Sequence, residues 1–102
     1  MLIIKKLACL IDEELSDAEK YAKLALEHKQ DYPELAGTFF TLSLEELKHM
    51  EALHNHVAKF IEQHKGDTDP RTEGMRIAHQ LLHERAIEKE KSVRILLDMY
   101  RG

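Results

Sequence analysis

Glu46 and His49 form a Glu-x-x-His pair in the middle of a long segment with helical periodicity, residues 35–64. Residues three or four positions apart share one face of a helix. Counted in this way, Glu46 falls near the middle of the segment's apolar stripe and His49 falls at its edge. A carboxylate within an apolar stripe is costly unless it is paired or bound to a metal, so this pair is a candidate for metal binding. The predicted stripe consists of Leu35, Phe39, Leu42, Leu53, Val57 and Phe60.

Carboxylates also fall on the predicted apolar faces of the other two segments. Glu14 shares a face with Ile4, Leu7, Ile11, Ala18, Ala22 and Ala25. In the last segment, Glu84 and Glu88 both lie on the predicted stripe, and Glu88 is closer to its centre. Which of these two is the better candidate ligand stays open. The stripe of the last segment consists of Ile77, Leu81, Ile95 and Met99.

Three helices would position these groups, at about residues 2–29, 33–65 and 71–100 of a single all-α domain that spans 1–102. Their links are short, which predicts an up-down-up chain of antiparallel neighbours. At about 1.5 Å of rise per residue, counting from the two turns brings four side chains to one level of such a bundle. These are Glu14, Glu46, His49 and Glu88, and this set of oxygen and nitrogen ligands suits iron, manganese or zinc.

The predicted helix ends carry recognisable signals. Pro33 suits the first position of the second helix, preceded by a cap at Asp31 or Tyr32. Gly66 suits the C-terminal cap of that helix.

The two ligand motifs resemble those of the ferritin-like, rubrerythrin-type di-iron carboxylate proteins. That family carries a Glu on one helix and a Glu-x-x-His on its antiparallel partner, repeated in the second half of a four-helix bundle. The stretch from Glu14 to Tyr21 resembles the first-helix motif, and the stretch from Glu45 to Met50 resembles the second. The resemblance covers roughly residues 7–61. It implies a di-iron cofactor, with Glu14, Glu46, His49 and Glu88 as metal ligands.

The chain departs from the family in having no second Glu-x-x-His and no fourth helical segment. The second link is also too short for the long crossover of the full fold, because six to nine residues reach at most about 30 Å. Encapsulated ferritins are a similar short form, in which each chain carries half of a di-iron site. The resemblance therefore implies a homodimer or a higher homo-oligomer.

This resemblance implies that the protein oxidises Fe(II) with oxygen or peroxide, for iron handling or for protection against oxidative stress. Its activity would be that of a ferroxidase or of a rubrerythrin-like peroxidase. The peroxidase would require a separate electron donor, and a shell protein is a further possible partner. Tyr21 would hydrogen-bond a ligand carboxylate and orient it. Two other hypotheses stay open: a metal-free helical adaptor that binds another protein, and a non-catalytic dimer stabilised by a metal such as zinc.

Composition excludes several classes of protein. The 102 residues are 33% charged and 43% hydrophobic, with a formal net charge of -4, and both signs are interspersed. No basic stripe for nucleic acid is present, and no apolar run approaches the roughly 20 residues that span a membrane. The one cysteine, Cys9, precludes an intramolecular disulfide. We expect a cytoplasmic protein, since the first ten residues contain two lysines and no signal-peptide cleavage site.

The remaining histidines include one pair with chelating spacing. His79 and His83 lie four residues apart, as a helical metal-binding pair would, but on the predicted polar side of their helix. This position favours a solvated pair.

Overall fold

The computed structural model describes residues 2–63 and 70–102, which form three α-helices and, in these ranges, no strand. The helices are α1 (Leu2–Glu27), α2 (Pro33–Gln63) and α3 (Pro70–Arg101). Their bounds lie within two residues of the predicted ones, and the all-α prediction is confirmed. The bundle is elongated, with extents of 56 × 17 × 17 Å. The predicted cap at Gly66 lies outside the described residues.

The turn between α1 and α2 is closed at Tyr32, one of the two predicted caps. The Tyr32 N–H donates to the His28 carbonyl at 2.9 Å, and the Tyr32 carbonyl accepts the Ala36 N–H at 2.9 Å. Pro33 then begins α2, where its missing N–H leaves no donor unpaired. This tight connection holds α1 and α2 antiparallel, and it sets the levels at which their side chains meet.

Small side chains form the closest part of the α1–α2 interface. Ala18, Ala22, Ala25 and Ala36 are fully buried. The Ser43 hydroxyl, also fully buried, donates a 2.7 Å hydrogen bond to the Ala18 carbonyl across the interface. Because helix separation follows the size of the side chains at the contact, this run of alanine and serine allows the two backbones to approach closely.

The buried face of α2 is rotated away from the predicted stripe. Its buried residues are Ala36, Ser43, Leu47, Met50 and Val57, of which only Val57 belonged to that stripe. Leu35 is 46% exposed, and the other predicted stripe residues are half-buried. The reason is that small residues occupy the tightest contact, while the larger apolar side chains lie beside it. α2 therefore presents a second, partly open apolar face.

The predicted stripe of α3 is wrong. Val93 and Leu97 are the buried residues of this helix. The predicted ones are exposed, by 57% for Ile77, 63% for Leu81, 60% for Ile95 and 60% for Met99.

α3 packs mainly against α1, and polar contacts join it to both neighbouring helices. Lys89 Nζ lies 3.1 Å from Asp12 Oδ1 and donates to the Ser16 hydroxyl at 2.6 Å. Arg94 reaches Glu51 on α2 at 3.4 Å. Val93 and Leu97 pack into the shared core, and the predicted stripe of α3 faces outward.

The C-terminal end of α3 is held beside the α1–α2 turn. The rings of Phe40 and Tyr100 stack with centroids 4.8 Å apart. The Lys29 ammonium donates to the Tyr100 carbonyl, and the Arg101 guanidinium lies 5.1 Å from the centre of the Phe40 ring. Across the described ranges, none of the helices has the length and apolar character needed to cross a membrane.

Candidate metal centre

Glu14, Glu46 and His49 meet on one side of the α1–α2 pair. His49 Nδ1 lies 3.5 Å from Glu14 Oε2 and 3.6 Å from Glu46 Oε2. One ligand atom from each of the three residues lies within 4.8 Å of the others. Among residues 2–63 and 70–102, this is the one group of three or more such side chains that meets this condition. The level count from the turn thus predicted a real juxtaposition.

Rigid neighbours position the three side chains. Glu14 precedes Leu15, which is fully buried, and Glu46 precedes Leu47, which is 3% exposed. Met50, next to His49, is 5% exposed. Because each candidate ligand is adjacent in sequence to a core residue, its backbone is held by the packing of α1 on α2. The ligand side chains then point from the edge of this interface toward the partly open face.

The two carboxylates are largely enclosed, and one of their oxygens has no hydrogen-bond partner. The side chains of Glu14 and Glu46 are 25% and 19% exposed, whereas that of His49 is 60% exposed. Glu14 Oε2 is buried and accepts no hydrogen bond. Within the described part of the chain, the only ion pairs of the two carboxylates are with His49. A buried acceptor without a donor costs free energy, and a bound cation would remove that cost.

An apolar rim borders this cluster on the open side of the α1–α2 pair. On α1, Leu10 lies four residues before Glu14 and is 42% exposed. Ile3 lies seven residues, or two helical turns, before Leu10 and is 43% exposed. On α2, Leu35 and the half-buried Leu42 follow the helical spacing that leads to Glu46. Apolar residues therefore lie along the same faces of α1 and α2 as the cluster, to either side of it along the helix axes.

The predicted orienting role of Tyr21 is not seen. Its ring stacks on Phe39, with centroids 6.2 Å apart and planes 19° apart. In the described residues, the Tyr21 hydroxyl makes no recorded hydrogen bond to Glu14 or Glu46. The reason is the aromatic contact, which holds the ring along the surface of α2.

Glu88 does not join the cluster, which corrects the prediction of a fourth ligand from the same chain. The contacts of Lys89 with Asp12 and Ser16 show that this turn of α3 does reach the level of Glu14. However, α3 lies on the other side of α1. The Glu88 side chain is 77% exposed and pairs with Lys91 at 3.7 Å. Glu88 thus lies at the predicted level along the bundle axis, but on a face of α3 that points to solvent. Glu84, the alternative candidate, is exposed as well.

Three histidines line a cleft on the side of the bundle where α3 packs. His54 of α2 stacks on His83 of α3, and His79 stacks on His83 in turn. Both His79 and His83 are half-buried, so the expectation of a solvated pair is wrong. Burial lowers the pKa of His54, and so does the neighbouring His83, whereas Glu90 acts to raise it. Burial also lowers the pKa of His79, with further contributions from His83 and His54. The i, i+4 spacing of the pair was the only sequence signal for this group.

Comparison of the chain with protein-family models, with curated proteins and with solved structures gives no match. The resemblance to the ferritin-like proteins therefore stays a prediction from the motif residues.

Proposed function

We propose that this chain is a ferritin-like metal-binding protein whose Glu14, Glu46 and His49 form half of a di-iron site. The observation that carries the proposal is the buried Glu14 Oε2, which has no hydrogen-bond partner and faces the other two candidate ligands. Two carboxylates and one imidazole are a ligand set that suits Fe(II), and also Mn(II) or Zn(II). A metal-free adaptor would place lysine or arginine side chains beside such carboxylates, and in the described residues their only pairing is with His49.

A second copy of the chain would complete the site. Three ligands from one chain leave coordination positions open, and a two-fold axis beside the cluster would bring a second set of three to it. The apolar rim, with Leu10 and Leu35 both more than two-fifths exposed, is the surface that such a copy would cover. Glu46, the more enclosed of the two carboxylates, would help to hold the metal in the completed site.

The residues of the chain have distinct tasks in this proposal. Glu14 and Glu46 supply the negative charge that offsets the cations, and His49 supplies a nitrogen ligand. The apolar rim would exclude water once it is covered, which strengthens the electrostatic interactions inside. When bound, each Fe(II) can give one electron, and hydrogen peroxide takes two electrons and two protons to become two molecules of water. The proposed outputs are ferroxidase activity in iron handling, or removal of peroxide with a separate electron donor, in the cytoplasm.

The test is anaerobic loading with Fe(II) followed by admission of air, with the ultraviolet-visible spectrum recorded throughout. We expect about one iron per chain and a rising ferric absorbance in the wild-type protein. Glu46→Ala should lose iron binding, whereas Glu45→Ala, which removes an exposed carboxylate one position away, should bind iron as the wild type does. Unchanged iron stoichiometry in Glu46→Ala would refute the assignment.

One observation favours the adaptor hypothesis as a second candidate function. The outward stripe of α3, Ile77, Leu81, Ile95 and Met99, is at least 57% exposed throughout. The exposed glutamates Glu84 and Glu88 divide this stripe into two apolar pairs. Exposed apolar residues grouped in this way are a candidate surface for binding another protein. The iron-loading experiment separates the candidates, because an adaptor would fold and take up no iron. A zinc-stabilised dimer would instead bind zinc through the same residues without any oxidation on exposure to air.

A further inference from the structure

A cleft of about 440 Å³ lies between the three helices, on the side of the α1–α2 pair where α3 packs. His54 of α2 and the pair His79 and His83 of α3 line it together. Met50 contributes to its wall, one position along α2 from His49. The two neighbouring residues point to different sides of α2, so this cleft and the carboxylate cluster are separate sites.

The three imidazoles form a continuous stack between α2 and α3. The centroids of His54 and His83 are 4.7 Å apart with their planes 12° apart, and those of His79 and His83 are 5.8 Å apart with planes 16° apart. His79 and His83 occupy i and i+4 positions, the spacing at which two histidines on one helix can bind the same ion. His54 supplies a third imidazole from the facing helix.

The surroundings keep these rings available as ligands. His54, His79 and His83 are each half-buried and line the same open cleft. An uncharged imidazole has one ring nitrogen with a free lone pair, which is the form that binds metals. The acidic residues Asp12, Glu13, Glu51 and Glu90 also line the cleft, together with Arg85. Glu51 and Glu90 are both paired with Arg94, and Asp12 is paired with Lys89.

We propose that His54, His79 and His83 bind a borderline divalent transition-metal ion of the zinc class. A set of three imidazoles favours Zn(II), Ni(II) or Cu(II), whereas the carboxylate-rich cluster on the other side suits iron. The lone pairs lie in the ring planes, so the stacked rings must rotate about their side-chain bonds to converge on one ion. As the structure has them, their ring nitrogens do not all lie within 4.8 Å of one another, and the cleft of about 440 Å³ is the space into which the rings would turn.

Binding would join α2 to α3 in a region where α3 has few buried residues. Ile77 and Leu81 of the same part of α3 are 57% and 63% exposed, and the buried residues Val93 and Leu97 lie further along the helix. An ion held by His54 from one helix and by two histidines from the other would therefore stabilise this part of the bundle. It would do so by binding the folded chain and not the unfolded one.

The test is calorimetric titration of the Glu46→Ala variant with Zn(II) at pH 7.5, since this variant lacks the carboxylate cluster. We expect one zinc ion per chain to remain bound. Adding His83→Ala should weaken that binding by about tenfold or more, as loss of one ligand would. Adding His56→Ala instead, which removes an exposed histidine of α2, should leave the affinity unchanged. Equal affinity with and without His83 would overturn the proposal.

A second measurement uses the wild-type protein, in case His83→Ala alters folding. Zinc titration followed by NMR of the imidazole groups should shift the signals of His54, His79 and His83 together. Shifts confined to the other histidines would overturn the proposal. Since the first experiment lacks the carboxylate site and the second resolves individual histidines, failure here is distinguishable from failure of the proposed iron site.

Discussion

Replacing Glu14 with leucine should stabilise the metal-free protein while abolishing metal binding. Glu14 lies between core residues of α1, and its side chain is 25% exposed. Its Oε2 atom is buried without a hydrogen-bond donor. A functional carboxylate held in such a position reduces the stability of the empty protein, and an apolar side chain of similar length removes that penalty.

The expected gain follows from the unsatisfied acceptor. Leaving a buried acceptor without a partner costs about 1–3 kcal/mol, and Glu14→Leu removes that acceptor. The ion pair with His49 contributes little against this, because the His49 side chain is 60% exposed and regains water when the pair is lost. For a domain of this size, about 1 kcal/mol corresponds to a rise of roughly 4–8 °C in Tm.

The assay is urea unfolding with a chelator present, at pH 8, where imidazole groups in general are uncharged. Glu14→Leu should raise the free energy of unfolding, and Glu45→Leu, an exposed position on α2, should change it little. Each variant is measured at two protein concentrations, because dimerisation makes the apparent stability concentration-dependent. Adding metal should then stabilise the wild type and not Glu14→Leu. A lower stability of metal-free Glu14→Leu would refute the reasoning, since it would show that Glu14 has a stabilising partner.

Three further predictions concern the bundle. Ser43→Ala should lower the free energy of unfolding by about 0.5–1.5 kcal/mol in urea, because it removes the buried hydrogen bond to the Ala18 carbonyl; an unchanged value would contradict a role for that bond. Leu97→Ala should cost about 2–5 kcal/mol by leaving a cavity where α3 packs, measured by the same method, since Leu97 is 2% exposed. The pKa values of His54 and His79 are lower in the folded protein than in the unfolded chain. As the pH falls, the unfolded chain therefore takes up protons at a higher pH than the folded protein does. Stability should therefore fall as the pH drops below about 6.5, and a His54→Asn, His79→Asn double variant should lose less stability over that range in urea titrations at several pH values.

The helices and the level of the candidate site were predictable because local signals determine them. Pro33 and the short first link set where α2 begins, and the constant rise of a helix then sets which residues lie opposite each other. Glu14, Glu46 and His49 meet for this reason. Counting residues from a tight turn gives the height of each side chain along two antiparallel helices. This count does not depend on how each helix is rotated about its own axis.

The rotations of α2 and α3 could not be predicted from the pattern of large apolar residues. On α2, the closest contact is made by Ala36 and Ser43, which a count of hydrophobic residues does not single out. On α3, Val93 and Leu97 pack into the core shared with α1 and α2, and Lys89 and Arg94 make polar contacts with the same two helices. Such contacts depend on residues far apart in sequence, so a single helical pattern does not reveal them.

The error for Glu88 and the missed histidine stack have the same origin. Glu88 reached the expected level, but it follows a stripe that turns outward when Val93 and Leu97 pack inward. The same rotation brings His83 against His54, which no spacing within one helix can predict. Positions that depend on how one helix rotates against two others are known only once the packing is known.

Native mass spectrometry of the protein loaded anaerobically with Fe(II) tests the central claim most directly, because it counts metals and chains in one particle. The account predicts a dimer, or an assembly of dimers, that holds two iron ions per pair of chains and loses both in the Glu46→Ala variant. A folded, metal-free monomer in the presence of excess Fe(II) would contradict it.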